Sequence, residues 1–141
     1  MTEKFSQWKK AARDDWQTAE MPPGKVRLSF ARVFSPAEFE LLAIGFIPRA
    51  MEQKWFIFLE NDNLYFHRSW TGIAVYQLLL ARDGERYHVA KAWVNPKALD
   101  DFSFNETHHA GMIDSLITNL LLRGRTPAPP PASFANDPAG E

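Results

Sequence analysis

Cysteine is absent from the chain, which removes disulfides, thiolate nucleophiles and cysteine-based zinc sites together. An excess of one charge sign is missing too. With 16 basic against 17 acidic residues the net charge is -1, so no global field draws the chain to phosphate backbones or anionic lipid. Nucleic acid is not an expected partner unless a local basic patch forms. Long apolar runs are also lacking: the cleanest, Leu41 to Ile47, falls well short of the ~20 residues that cross a bilayer, and no membrane partner is expected. Residues 1 to 10 hold no apolar stretch of the signal-peptide kind, and Asp14 and Asp15 argue against a transit peptide. The whole chain is therefore expected to be the mature protein, in the cytoplasm. No GxSxG, phosphate-binding loop, GxGxxG or HExxH occurs, and there is no internal repeat. No cofactor is expected.

Aromatic residues, by contrast, are plentiful. Five Trp and eleven Phe in 141 residues supply a core filled by rings, and a chain of this size buries roughly two-thirds of its unfolded surface. The expectation is one α+β domain over residues 1 to 124. Its centre is an antiparallel four-stranded meander at about 54 to 94, flanked by three helices, with an extra edge strand near 25 to 30.

The first helix is expected over residues 3 to 18, where Phe5, Trp8, Ala12 and Trp16 recur at helical spacing before Pro22-Pro23-Gly24. That stripe can pack on its own domain, on a partner or on a membrane surface. Val26, Leu28 and Phe30 alternate with polar neighbours as in a short strand. Ser35-Pro36-Ala37-Glu38 is a capping box with Pro at the first helical position, and Phe39, Leu42, Ala43 and Phe46 form a stripe that Pro48 ends at about Ile47. Turns at Asn61-Asp62, Thr71-Gly72 and Asp83-Gly84 divide the meander. Asp83-Gly84 is the strongest of these, because both residues tolerate positive φ. Its first and third strands are apolar on both faces, so cover is needed on both sides, from helices or from a second subunit. A homodimer follows as an expected assembly. The third helix spans 106 to 123 with Gly124 beyond it, and the Pro- and Ala-rich residues 125 to 141 read as a disordered tail. Its polyproline could dock on an SH3-like partner.

Polar groups concentrate among rings at Tyr65-Phe66-His67-Arg68-Ser69-Trp70-Thr71-Gly72. Alternation puts Arg68 and Trp70 on one face and His67 with Ser69 on the other, so His67 and Arg68 serve one pocket only if a bulge intervenes. Arg68 as an anion-binding fork, Trp70 as a stacking surface, and Ser69 and Lys54 beside them form a candidate ligand site. His67 is a weak candidate base. The plainer alternative pairs Arg68 with Glu60 and lays it flat on Trp70. His108-His109 diverge on a helix, lack metal-ligand spacing and sit where a helix N-terminus disfavours a positive ring; no metal is expected. Asp14-Asp15 and Asp100-Asp101 are read as solvated pairs.

The segments Lys54-Trp55-Phe56-Ile57-Phe58 and Leu64 to Gly72 resemble a group of small bacterial proteins, some of which carry the label ADP-ribosyl-(dinitrogen reductase) hydrolase. The resemblance implies a bacterial source and a tie to ADP-ribose. The ADP-ribosylglycohydrolases themselves are much longer and all-helical, with paired acids that hold magnesium, and this chain shares none of these features. Two expectations follow: a bacterial binding or interaction domain without catalytic machinery, or a small enzyme or sensor acting on an ADP-ribose-like or other phosphorylated, anionic ligand.

Overall fold

A computed structural model describes residues 10–98 and 105–123. The Asn61-Asp62 turn shows how directly local chemistry sets the architecture. Both residues take positive φ, 52° and 64°, which a two-residue type I′ hairpin requires. Trp55–Glu60 (β3) and Asn63–Arg68 (β4) pair across it in unbroken register, from Glu60 opposite Asn63 to Trp55 opposite Arg68. Ala74–Asp83 (β5) and Arg86–Val94 (β6) form the next hairpin. Here only Gly84 has positive φ, 66°, at the position where a type II′ turn needs it; the two loop residues are Gly84 and Glu85, not Asp83 and Gly84. Val26–Leu28 (β1) and Val33–Phe34 (β2) both add to the outer edge of β6. The result is a six-stranded antiparallel sheet in the order β1-β6-β5-β4-β3, with β2 beside β1 on β6.

The expected α+β class and meander are present, and the edge strand is β1. β2 was not expected, being two residues long. Two α-helices, not three, accompany the sheet among the described residues. Over 10 to 18 the expected first helix is replaced by an extended strap with one 3₁₀ turn, Arg13–Asp15, flanked by Ala12 and Trp16 in β geometry; residues 3 to 9 of that expectation lie outside the described set. Tertiary contacts outweigh the helical pattern here. The Ala11 N–H donates to the Ile44 carbonyl at 2.7 Å, the Ala19 N–H to Gly72 at 2.8 Å, and the Trp16 indole to the Ser69 carbonyl at 2.7 Å. The tail and the Asp100-Asp101 loop also lie outside the described residues.

Helix α1, Pro36–Ile44, starts with the expected capping box: Ser35 Oγ accepts from the Glu38 N–H at 3.1 Å, and Glu38 Oε1 from the Ser35 N–H at 3.0 Å. Ser35→Ala is expected to lower stability by about 1 kcal/mol, measured as a drop in the urea midpoint with an unchanged slope. The helix stops at Gly45, before the Pro48 boundary, because Phe46 turns away to exchange two backbone hydrogen bonds with Ile57 at 2.8 and 2.9 Å. That bridge covers part of the otherwise open edge of β3. α1 buries Leu41, Leu42 and Ile44, more than one stripe, while Phe39 stacks on Tyr87 with centroids 3.7 Å apart.

Helix α2, Glu106–Leu116, continues into a π-helical turn, Ile117–Leu122, closed by the Arg123 N–H to the Thr118 carbonyl at 2.9 Å. This replaces the uniform helix expected to 123. Both helices cover one face of the sheet. Phe34, Leu42, Ile57, Leu64, Phe66, Leu78, Ile113, Ile117 and Leu121 are fully buried between the layers, each large side chain contributing roughly 1.5–3 kcal/mol. The strap covers the opposite face at β3 and β4, where Ala11 and Trp16 close over Phe56 and Phe58. Cover on both faces, expected for the first and third strands of the meander, is thus present over the first, β3.

Candidate functional site

The strand ends near Trp55, Arg68 and Ala74 bring most of the candidate residues to one margin of the sheet. Cross-strand pairing puts Arg68 opposite Trp55 on the helix side, with the guanidinium carbon 4.6 Å from the Trp55 ring centroid. Trp55 in turn stacks against Tyr76 at 6.2 Å. Arg68 makes no ion pair among the described residues. Glu60 is at the far end of β3, about 17 Å away along the strand, and instead binds Arg13 at 2.7 Å; the alternative of an Arg68–Glu60 pair lying on Trp70 is therefore corrected. The Arg13 guanidinium also sits 5.0 Å from the Phe58 ring and 5.1 Å from the Tyr65 ring. Its pKa is raised above the usual value chiefly by the hydrogen bond to Glu60. This clamp holds the strap on the sheet.

His67 is on the other face. A bulge does occur between Phe66 and His67, but in the pairing with β5; against β3 the alternation runs on, Phe56 opposite His67 and Trp55 opposite Arg68. The His67 ring is 0% exposed, lies at 5.5 Å from Phe58, and donates from Nε2 to the Ala19 carbonyl at 3.0 Å. Nδ1 is buried without a hydrogen-bond partner. Burial pushes its pKa down to about 4; the Ala19 bond opposes this and the Arg13 charge adds to it. A neutral ring sealed under the strap has no access to a ligand.

Trp70 parts company with Arg68. Beyond Arg68 the chain leaves the strand in a tight turn, closed by the Gly72 N–H to the Arg68 carbonyl at 2.8 Å, and strand alternation no longer applies. Trp70 sits at its tip, 67% exposed, and donates its indole N–H to the Met51 carbonyl at 3.1 Å. Lys54 Nζ lies 5.7 Å from its ring centroid. Ser69 is buried and tied down, its Oγ donating to the Gln53 carbonyl at 3.0 Å and its N–H to that of Lys54 at 2.9 Å.

Two depressions flank this margin. The larger, about 630 Å³, opens between the start of β3 and the α2–π junction; Gln53, Lys54, Trp55, Ser115, Asn119 and Leu120 line it with Glu52, Phe46 and Leu116. Its size lies within the usual ~300–1,000 Å³ range for small-molecule sites. The π turn keeps Ile117 and Leu121 in the core while Asn119 and Leu120 face the cavity, an irregularity common at functional sites. The smaller, about 350 Å³, is formed by Trp16, Pro48, Arg49, Met51, Ser69 and Trp70, with Ala50. Lys54 links the two, lining the first and lying over Trp70 of the second.

Behind Trp55, Tyr76 Oη and His109 Nδ1 share a hydrogen bond of 2.9 Å. Burial pushes the Tyr76 phenol up to about 12, against a small opposing effect of Arg68. Burial, then the neighbouring His108, lowers the pKa of His109. Both rings are nearly inaccessible and act as a neutral strut. The helix N-terminus disfavours a positive ring at both histidines; His109 is buried, while His108 is exposed. Among the described residues no three His, Asp or Glu side chains gather as metal ligands, and no helix is long and apolar enough to cross a membrane.

Trp55, Ser115 and Asn119 were missed as lining residues. The Trp55–Arg68 pair had a usable signal, since counting outward from the Asn61-Asp62 turn brings these two residues opposite each other. Nothing in the sequence announced the π turn. No family model matches the chain, nor does any curated protein or solved structure.

Proposed function

We propose that this is a bacterial, cytoplasmic binding domain without a catalytic role, whose ligand is a small anion bearing a flat apolar group. ADP-ribose-like and other phosphorylated molecules are the leading class. The observation that carries the reading is the Arg68 guanidinium held over Trp55 with no counter-ion among the described residues, where Trp55 and Lys54, though not Arg68 itself, line a cavity. A planar fork matches phosphate or carboxylate oxygens bidentately. Lys54 adds a second cation, Asn119 and Ser115 supply hydrogen bonds, and Leu116 and Leu120 accept the apolar part. His67, the candidate base read from the sequence, is on the opposite face and cannot serve this cavity; Glu52 is the carboxylate that lines it, and the binding or sensing form rests on Arg68 and Trp55 instead.

Thermal-shift measurements with ADP-ribose, NAD and nucleotides test this. A ligand at a hundred times its Kd stabilises by about 2.7 kcal/mol. Arg68→Ala should weaken binding by roughly 10- to 100-fold, from loss of a charge-assisted contact of ~1.5–3 kcal/mol, and Lys54→Ala by less. No shift with any of these ligands, or an equal shift in Arg68→Ala, would count against the proposal.

A homodimer belongs to the same proposal. The face opposite the helices is capped by the strap at β3 and β4, whereas Leu79 and Trp93 remain half-buried on it and Val33 is 56% exposed. Sedimentation as a monomer at all concentrations would remove this part.

A further inference from the structure

The smaller depression is chemically unlike the anion cavity. It gathers two of the most exposed large apolar side chains, Met51 at 73% and Trp70 at 67%, around Trp16 and Pro48. Both indole N–H groups are already used internally, Trp16 on the Ser69 carbonyl and Trp70 on the Met51 carbonyl. What the cleft offers is ring faces, a thioether and the Arg49 side chain, with few polar donors. Such a surface suits a ligand that presents apolar rings, brings no N–H groups needing partners, and loses little entropy on ordering. Polyproline has these properties: Pro lacks a backbone N–H, and the extended left-handed form is preorganised and docks in aromatic-lined grooves.

The chain carries such a segment, Pro127-Ala128-Pro129-Pro130-Pro131, beginning four residues after Arg123. Arg123 closes the π turn whose Asn119 and Leu120 line the larger cavity. Lys54 of that same cavity lies over Trp70, so the described chain ends on the turn that borders the cavity adjoining the cleft. At ~3.1 Å per residue, polyproline geometry carries Pro127 about 12 Å and Pro131 about 25 Å from Arg123, so the segment itself covers that range of distances. We infer that the Trp16–Met51–Trp70 cleft is a polyproline-binding site, and that its occupant is the chain's own 127–131 segment.

The absence of cysteine makes the test clean, because Ala132→Cys in the full chain provides one attachment point for a nitroxide spin label. The Trp70 indole and Met51 methyl signals should lose most of their intensity, while the Gly84 amide, at the far end of the β5–β6 hairpin, should keep its own. The loss should be independent of protein concentration. It should vanish when Pro129, Pro130 and Pro131 are all replaced by Ser, changes that leave the described domain untouched. Broadening that is uniform over the surface, that survives the triple replacement, or that fades on dilution because it comes from another copy's tail, would overturn the inference.

Discussion

Gly45→Ala is expected to lower stability by about 3–5 kcal/mol, enough to leave a marginal domain substantially unfolded. Two effects combine at this position. Its backbone, φ 74° and ψ -160°, lies in a region open essentially to glycine, at a cost of ~1–3 kcal/mol for other residues. A Cβ there would also stand 2.4 Å from the Ile57 carbonyl oxygen and 2.9 Å from Ala11 Cβ, so it meets backbone on one side and the strap on the other. Neither can yield without breaking the Phe46–Ile57 bridge or the Ala11–Ile44 hydrogen bond. Gly111→Ala is the control: it lies within α2 with nothing within 4 Å of the added carbon, and is expected to stabilise by up to ~1 kcal/mol. Urea unfolding of both variants checks the contrast. Equal effects would mean that the junction between α1 and β3 is looser than described.

Acidification is expected to destabilise the domain through His67 by about 3 kcal/mol. Its folded pKa, pushed down to about 4 by burial, lies below the ordinary value near 6.5, so between these pH values the unfolded chain binds the extra proton. Stability therefore rises with pH across that interval: it is complete above about 6.5, and declines as pH falls towards 4. A depression of ~2.5 units at ~1.36 kcal/mol each sets the size. His109, whose pKa is also lowered, contributes in the same direction, so the diagnostic is a comparison. His67→Gln removes the titration while retaining a donor for the Ala19 carbonyl, and its unfolding free energy should fall less steeply between pH 7 and 4.5 than that of the wild type. Parallel curves would show that the ring is not sealed beneath the strap.

Sequence and structure agree best where local chemistry is decisive. Positive-φ residues at Asn61 and Asp62 set a register that holds for the whole β3–β4 hairpin, and the Ser35 capping box opens α1 where the pattern places it. Disagreement arises where distant contacts choose. Trp16 has helical spacing from Ala12, yet the Ser69 carbonyl and the Phe56 ring, 6.0 Å away, draw it into an extended strap. Gly45 ends α1 ahead of Pro48 because β3 supplies a backbone partner for Phe46. The site was half legible. Placing His67 and Arg68 on opposite faces follows from strand alternation, but extending that alternation past Arg68 put Trp70 on the same face, although a turn begins there. The stacking partner of Arg68 is Trp55, readable only once the hairpin register is applied. Asn119 reaches the cavity through a π turn that no residue pattern marks.

Residue-resolved chemical shifts of the full chain during titration with ADP-ribose address the proposed site most directly. The Lys54 and Asn119 amides and the Trp55 indole are expected to move together on a single saturable curve, with His67 fixed, and Arg68→Ala is expected to move the midpoint of that curve to roughly 10- to 100-fold higher ligand concentration. Shifts centred on His67, or none at Trp55 at saturating ligand, would contradict it.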